Sequence, residues 1–131
     1  MTSLKVPIIC IIIGEGSSGG ALAIGVGDRI VMLENAIYSI LSPEGFASIL
    51  YKDASKCKEA AENMKITAQD LKALGIIDKI VKEPEGGAQK DLQGVSTALK
   101  EYILQELSFL NGEKEEDLLE NRYQKFRKMG K

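Results

Sequence analysis

Two regimes of apolar patterning divide this chain. The first is nearly continuous: Val6 to Ile13 is apolar and rich in isoleucine, the signature of a strand covered on both faces, as in a parallel sheet. Pro7 stands at its start, where a missing N–H is tolerated. Shorter runs at Arg29 to Leu33, Ile37 to Leu41 and Ile76 to Val81 predict three further strands. The second regime opens near Asp91, where Val95, Leu99, Ile103, Leu107 and Leu110 recur at helical spacing and stop at Asn111-Gly112. A last amphipathic helix sets Leu118, Leu119, Tyr123 and Phe126 on one face. Each late helix has one apolar stripe and must cover something, either this chain's own sheet or another subunit. The change of regime separates a core at 1–90 from a helical segment for packing or subunit contact at 91–131.

Polar punctuation sharpens the boundaries. Gly14 to Gly20 holds four glycines and two serines and predicts a tight turn, with a short helix from Ala21 to Val26 behind it. Ser42-Pro43-Glu44 combines an N-cap hydroxyl, proline at the first helical position and an early acid, opening a helix to about Lys52. Ser55 to Lys65 predicts a charged, alanine-rich helix. Thr67 and Asp70 resemble a capping box, and Gly75 a left-handed helix stop. Glu83 to Gln89, with Gly86-Gly87, predicts a loop.

With 131 residues and 44% apolar content the chain fits one globular domain. A net charge of -2 supplies no basic field, which argues against nucleic acid or an anionic membrane as partner. The basic cluster Arg122, Lys125, Arg127, Lys128 and Lys131 follows a run of acids and reads as a solvated helix face. Cys10 and Cys57 lie in unlike surroundings, as expected of free thiols in a reducing cytoplasm. The chain has no histidine, so no metal site is expected on it. Its longest apolar run falls far short of the ~20 residues that span a bilayer.

The chemistry centres on Gly14-Glu15-Gly16-Ser17-Ser18-Gly19-Gly20, between a buried strand and a helix. Three templates fit. Gly14, Gly16 and Gly19, with Glu34 further on, match a dinucleotide fingerprint and hence a Rossmann-type NAD or FAD oxidoreductase domain. Against it, Gly25 and Gly27 weaken the helix that should carry the pyrophosphate, and binding of neither dinucleotide is expected. Gly16, Ser18 and Gly20 match a nucleophile elbow, but no histidine is present to take the serine proton. The third template is an oxyanion hole: backbone N–H groups of Gly19 and Gly20 at a helix start, with no Cβ to obstruct a carbonyl. On the loop alone, a glycine turn that merely connects strand to helix fits as well.

The surrounding segments break the tie. Ala21 to Ile24, Asp28 to Ala36 with its Glu34-Asn35-Ala36 turn, Ser42-Pro43-Glu44-Gly45, and Ile66 to Asp70 with Leu74 to Val81 resemble the crotonase superfamily in order and spacing. Within it, Gly14-Glu15-Gly16, Ser18 to Asp28, Ser42 to Gly45 and Glu83 to Ala88 are similar nearly word for word to the alpha subunits of acetyl-CoA carboxylase carboxyltransferase, in their C-terminal part. The resemblance runs from Val6 to about Gly130. Ser17 stands where a third glycine is common. Gln89 stands where histidine is frequent, so it is given no role in proton transfer. The family's alpha subunit is more than twice as long, so the chain is expected to be a fragment.

That resemblance implies an α/β fold, a partial crotonase-like ββα spiral followed by C-terminal amphipathic helices. It implies transfer of a carboxyl group from carboxybiotin, on biotin carboxyl carrier protein, to acetyl-CoA, giving malonyl-CoA for fatty-acid synthesis. Another acyl-CoA is the alternative substrate. Gly19 and Gly20 would be the catalytic donor pair on the biotin side, and Gly16, Ser17, Ser18, Ser42, Pro43 and Glu44 would contact substrate. For Ser42 to Glu44 plain helix capping is the competing reading, and for Ser17 and Ser18 a turn-forming role. The implied partners are a zinc-bearing carboxyltransferase beta subunit, the biotin carrier and biotin carboxylase, the component that uses ATP. The open apolar strand and late helices imply self-association, and the isolated chain is expected to be inactive.

Overall fold

In the computed structural model, which describes residues 1–130, the isoleucine-rich runs pair as parallel strands. Strand β1 (Ile9–Ile12) lies beside β3 (Arg29–Leu33), with Ile9 opposite Arg29 and Ile12 opposite Met32. On its other side β3 pairs with β5 (Lys79–Val81), Val31 opposite Lys79. A second, two-stranded parallel sheet joins β2 (Glu15–Ser17) to β4 (Ile37–Ser39), with Gly16 opposite Tyr38.

Successive strands therefore alternate between sheets. The chain lays β1 in the larger sheet and β2 in the smaller, then forms helix α1 (Ser18–Ile24). It repeats the step with β3 and β4, followed by α2 (Pro43–Leu50), α3 (Cys57–Met64) and α4 (Ala68–Ala73), and returns with β5. This is a ββα spiral of the crotonase type. A doubly wound nucleotide fold instead strings its strands into one sheet with helices between them. Two long helices close the chain, α5 (Leu92–Leu110) and α6 (Glu115–Lys128).

The core forms around β3, the only strand of its sheet with a neighbour on each side. Ile30, Val31 and Met32 are 1%, 0% and 0% exposed, and burying such side chains stabilises by ~1.5–3 kcal/mol each. Cys10, Ile12, Leu33, Leu71, Ile77 and Val81 join them. The stripes of the late helices reach the same core through Val95, Leu99, Tyr102 and Phe126. Their outer faces leave Leu92, Leu104, Phe109 and Tyr123 exposed.

Several boundaries differ from the sequence reading. The apolar run at Val6 yields only Ile9–Ile12 as strand, at the edge of its sheet, with Cys10 and Ile12 buried and Val6 and Ile13 exposed. The glycine segment is not a simple turn: ladder bonds to β4 override glycine's weak strand preference and make Glu15–Ser17 a strand. Helix α1 consequently starts at Ser18, three residues early, and ends before Gly25, so Gly25 and Gly27 follow the helix and do not interrupt it. The third strand stops at Ser39. The last begins at Lys79, because the N–H groups of Ile76 and Ile77 turn back to the Leu71 carbonyl at the end of α4. The charged helix expected from Ser55 enters through a single 3-10 turn at Ala54–Lys56. Arg122 is not on a solvated face. It is 2% exposed, bonded to Asp28, and Lys125 is half-buried against Asp78.

Candidate functional site

The glycine segment is shaped by what lies on either side of it. β1 ends at Ile12, the chain crosses to the smaller sheet through exposed Ile13 and Gly14, and the Gly14 carbonyl accepts the Ile37 N–H at 2.9 Å. Three residues of β2 follow. Ser18 then takes a left-handed conformation, φ 68°, which swings the backbone from strand into helix within one residue. A non-glycine residue at positive φ is uncommon and is strained unless its surroundings enforce it. Here the β2–β4 ladder and the helix enforce it from opposite ends.

The start of α1 is left open. Ser17 has the extended backbone of an N-cap, φ -138° and ψ 159°, but its hydroxyl makes no capping bond. It lies 3.3 Å from the Ser39 hydroxyl instead. The first-turn N–H groups, those of Gly19 and Gly20 included, thus gain no side-chain acceptor, and helix starts leave such donors without an intrahelical partner. Gly19 and Gly20 are exposed, and a Cβ built on either would meet nothing within 4 Å. Neither position has a positive φ. Internal packing therefore makes no demand for glycine at these two positions. Such an end, with bare donors at the positive pole of a helix, can hold developing negative charge on oxygen.

The far end of α1 is held from below. The Ala21 carbonyl accepts the Gly25 N–H at 2.8 Å and the Tyr38 hydroxyl at 3.2 Å. The Cys10 thiol donates to the Ile24 carbonyl at 3.0 Å. Burial pushes both the Cys10 thiol and the Tyr38 phenol above their ordinary pKa values. Under the helix lies an open apolar cleft of about 300 Å³, walled by β1, Gly14 to Gly16, Ala21, Ile24, Gly25 and Tyr38. Gly19 and Gly20 stand outside its wall.

The other sequence candidates separate. Gly16 is packed, its α-carbon facing Ile12 and the Tyr38 ring, each within 3.1 Å of an added Cβ. Ser17 and Ser18 are exposed beside the donors. Ser42 accepts the Gly45 N–H at 3.2 Å and Pro43 opens α2, so the capping reading accounts for Ser42 and Pro43, while Glu44 lies in the first turn. Gln89 donates to the Gly86 carbonyl at 2.7 Å within its own loop. Tyr38 was not singled out from the sequence. Its signal is the glycine pair Gly16 and Gly25, both of which leave room for its ring. Among the described residues no group of three His, Cys, Asp or Glu side chains could hold a metal, and no helix is long and apolar enough to cross a membrane.

Comparison with known proteins identifies the family. The family model described as acetyl co-enzyme A carboxylase carboxyltransferase-like matches residues 1–130. The chain belongs to this carboxyltransferase family. The acetyl-coenzyme A carboxylase carboxyl transferase subunit alpha of Clostridium acetobutylicum is 59% identical over 131 residues, 100% of this chain and 48% of that protein. A Natranaerobius thermophilus protein named as subunits beta/alpha is 60% identical over 131 residues, 100% of this chain and 22% of its own length. The alpha subunit of Stenotrophomonas maltophilia is 56% identical over 130 residues, 99% of this chain and 41% of that protein. The chain thus spans half or less of the curated relatives it matches. Among solved structures, a Pseudomonas malonate decarboxylase hetero-tetramer with coenzyme A superposes at TM-score 0.61 and 21% identity, over 88% of this chain and 45% of that one. Transcarboxylase 12S, with methylmalonyl-coenzyme A bound, gives 0.52 and 20%, over 79% and 21%. Both likenesses carry the crotonase-like fold and nothing finer.

Proposed function

We propose that this chain is the part of a carboxyltransferase alpha subunit that stabilises oxyanion charge while a carboxyl group passes from carboxybiotin to acetyl-CoA, yielding malonyl-CoA for fatty-acid synthesis. The observation that carries the reading is the bare start of α1: two exposed glycines whose missing Cβ atoms nothing inside the chain requires. Family membership and the acyl-CoA relatives of the same fold support it.

Biotin, carried on a separate protein, supplies the carboxyl group. The residues present suit it, because an exposed pair of N–H donors admits a ureido oxygen without a side chain in the way. The chain's own work is to aim Gly19 and Gly20 N–H groups and to hold Ser17 and Ser18 beside them. Zinc is assigned to a beta partner, as the family resemblance implies. Biotin carrier protein and biotin carboxylase, which uses the ATP, complete the system in the cytoplasm. Acyl-CoA chains longer than acetyl are the remaining alternative.

The test is malonyl-CoA formation from carboxybiotin and acetyl-CoA by the full-length alpha subunit joined to its beta partner. Gly20→Pro deletes one donor in the first helical turn, where a proline is tolerated, and should lower kcat by about 100–1,000-fold. Unchanged turnover would refute the donor assignment. The isolated chain should show no turnover, and size-exclusion chromatography should find it self-associated; robust activity from the chain alone would overturn the division of labour between subunits.

A further inference from the structure

The donor pair proposed above lies on a helix that buries none of its own residues, so something else must hold it in place. Three observations converge on Tyr38. Its hydroxyl donates to the Ala21 carbonyl at 3.2 Å, one residue beyond Gly20. Its ring fills the space left by two glycines on either side of the donors: a Cβ at Gly16 would stand 3.1 Å from the ring, and one at Gly25 would stand 2.0 Å from the hydroxyl oxygen. Its own backbone is fixed on both flanks, because Tyr38 lies opposite Gly16 in the β2–β4 ladder and its N–H donates to the Ile66 carbonyl at 3.1 Å. The side chain thus ties the strand before the donors, the helix that bears them and the turn that ends that helix to one rigid strand.

We infer that Tyr38 is a positioning residue for carboxyl transfer: it sets the height and tilt of α1, and so the aim of the Gly19 and Gly20 N–H groups, without touching substrate. This rests on the donor reading of those glycines. The same bond satisfies a second lone pair of a carbonyl already used by Gly25, so its loss leaves the helix hydrogen bond intact and removes only the tether. Positioning errors near 1 Å can cost about 100-fold in rate. Loss of the tether alone, with the ring in place, should cost about tenfold.

The experiment compares Tyr38→Phe, Tyr38→Leu and Gly20→Pro in the full-length alpha subunit with its beta partner, measuring kcat, the KM for acetyl-CoA and thermal midpoint. The expected result is a kcat about tenfold lower for Tyr38→Phe with KM within about twofold and an almost unchanged midpoint. Tyr38→Leu should fall further in kcat, so that the conservative phenylalanine partly rescues it. A merely structural tyrosine would lower the midpoint of Tyr38→Phe and leave kcat per folded complex at the parent value, and that outcome overturns the inference. If Gly20→Pro abolishes turnover while Tyr38→Phe is fully active, the donor reading stands and the positioning role is wrong. If Gly20→Pro is itself fully active, the donor reading fails and the inference falls with it.

Discussion

Arg122 on α6 and Asp28, 94 positions apart in the chain, form a two-bond fork with both contacts at 2.8 Å and side chains only 2% and 3% exposed. Arg122 also donates to the carbonyls of Leu4 at 2.8 Å and Val6 at 2.9 Å, and Asp28 accepts the Ile8 N–H at 2.7 Å. One pair therefore joins the segment before β1, the turn after α1 and the last helix. Lys125, one turn along α6, pairs with Asp78, whose carboxylate accepts the Ile30 N–H at 2.6 Å.

Breaking the fork from one side leaves a buried charge alone. Arg122→Met in the full-length subunit should lose about 3–5 kcal/mol in urea unfolding, because Asp28 stays buried without its cation. The double variant Asp28→Asn, Arg122→Met should recover much of that loss, since a neutral pair leaves no buried charge uncompensated. Equal losses for the single and the double variant would contradict this account.

Two glycines should part company under the same substitution. Gly27→Ala puts a Cβ 2.8 Å from the Ile8 carbonyl oxygen and 2.7 Å from the Cys10 sulfur. Backbone cannot move aside cheaply, so a loss of about 1–3 kcal/mol is expected. Gly19→Ala meets nothing within 4 Å and should be neutral or gain up to ~1 kcal/mol from helix propensity. Carboxyltransferase turnover should nonetheless fall for Gly19→Ala, by intrusion of the methyl on the open side. Stability and activity would then move in opposite directions in one variant.

How much of this was legible in the sequence follows from which interactions are local. The Ser42 cap, the Thr67 hydroxyl accepting the Asp70 N–H and the left-handed Gly75 are all settled within a few residues, and the structure has each of them. The Asp91 start of α5 and the inward stripe through Val95 and Leu99 are local too. Arg122 was misread because its partner lies 94 positions away and nothing in α6 itself distinguishes it from Arg127 or Lys128. Tyr38 was missed for a similar reason. The two glycines that make room for its ring were explained separately, Gly16 by the turn and Gly25 by a weakened helix, whereas one side chain accounts for both. The glycine motif alone fits three templates and a plain connecting turn. The missing histidine counts against the elbow, and the alternation of strands between two sheets, which is long-range, sets aside the doubly wound nucleotide template.

The contact between Gly25 and Tyr38 can be isolated by a double-mutant cycle. Gly25→Ala drives a methyl to within 2.0 Å of the Tyr38 hydroxyl and 2.9 Å of the Ala21 carbonyl oxygen. Alone it should destabilise by about 1–3 kcal/mol. In a Tyr38→Phe background the nearer obstacle is gone, so the cost should shrink without vanishing. Additive losses would mean that the ring moves aside freely and that the packing described here is loose.

Alkaline pH should weaken the fold through Tyr102. Burial, reinforced by Glu106 and Asp78 and opposed by Arg29, pushes its phenol from 10.0 to about 12. An unfolded chain releases that proton near pH 10, the folded one only near 12, so the folded state binds more protons throughout that interval. By linkage the contribution is fully present below about pH 10 and is lost as pH rises towards 12. Cys10, raised from 9.0 chiefly by burial, adds a loss of the same sign from about pH 9 upward. Urea midpoints measured from about pH 8 to about pH 11.5 should therefore fall steeply in the parent. Tyr102→Phe should flatten the upper half of that curve while leaving its neutral end nearly in place, and Cys10→Ala should flatten the region just above pH 9. An ultraviolet titration assigns the phenol directly, since the difference between the parent and Tyr102→Phe should titrate near 12. A difference that titrates at the ordinary phenol value would show that Tyr102 is solvated and has no such role.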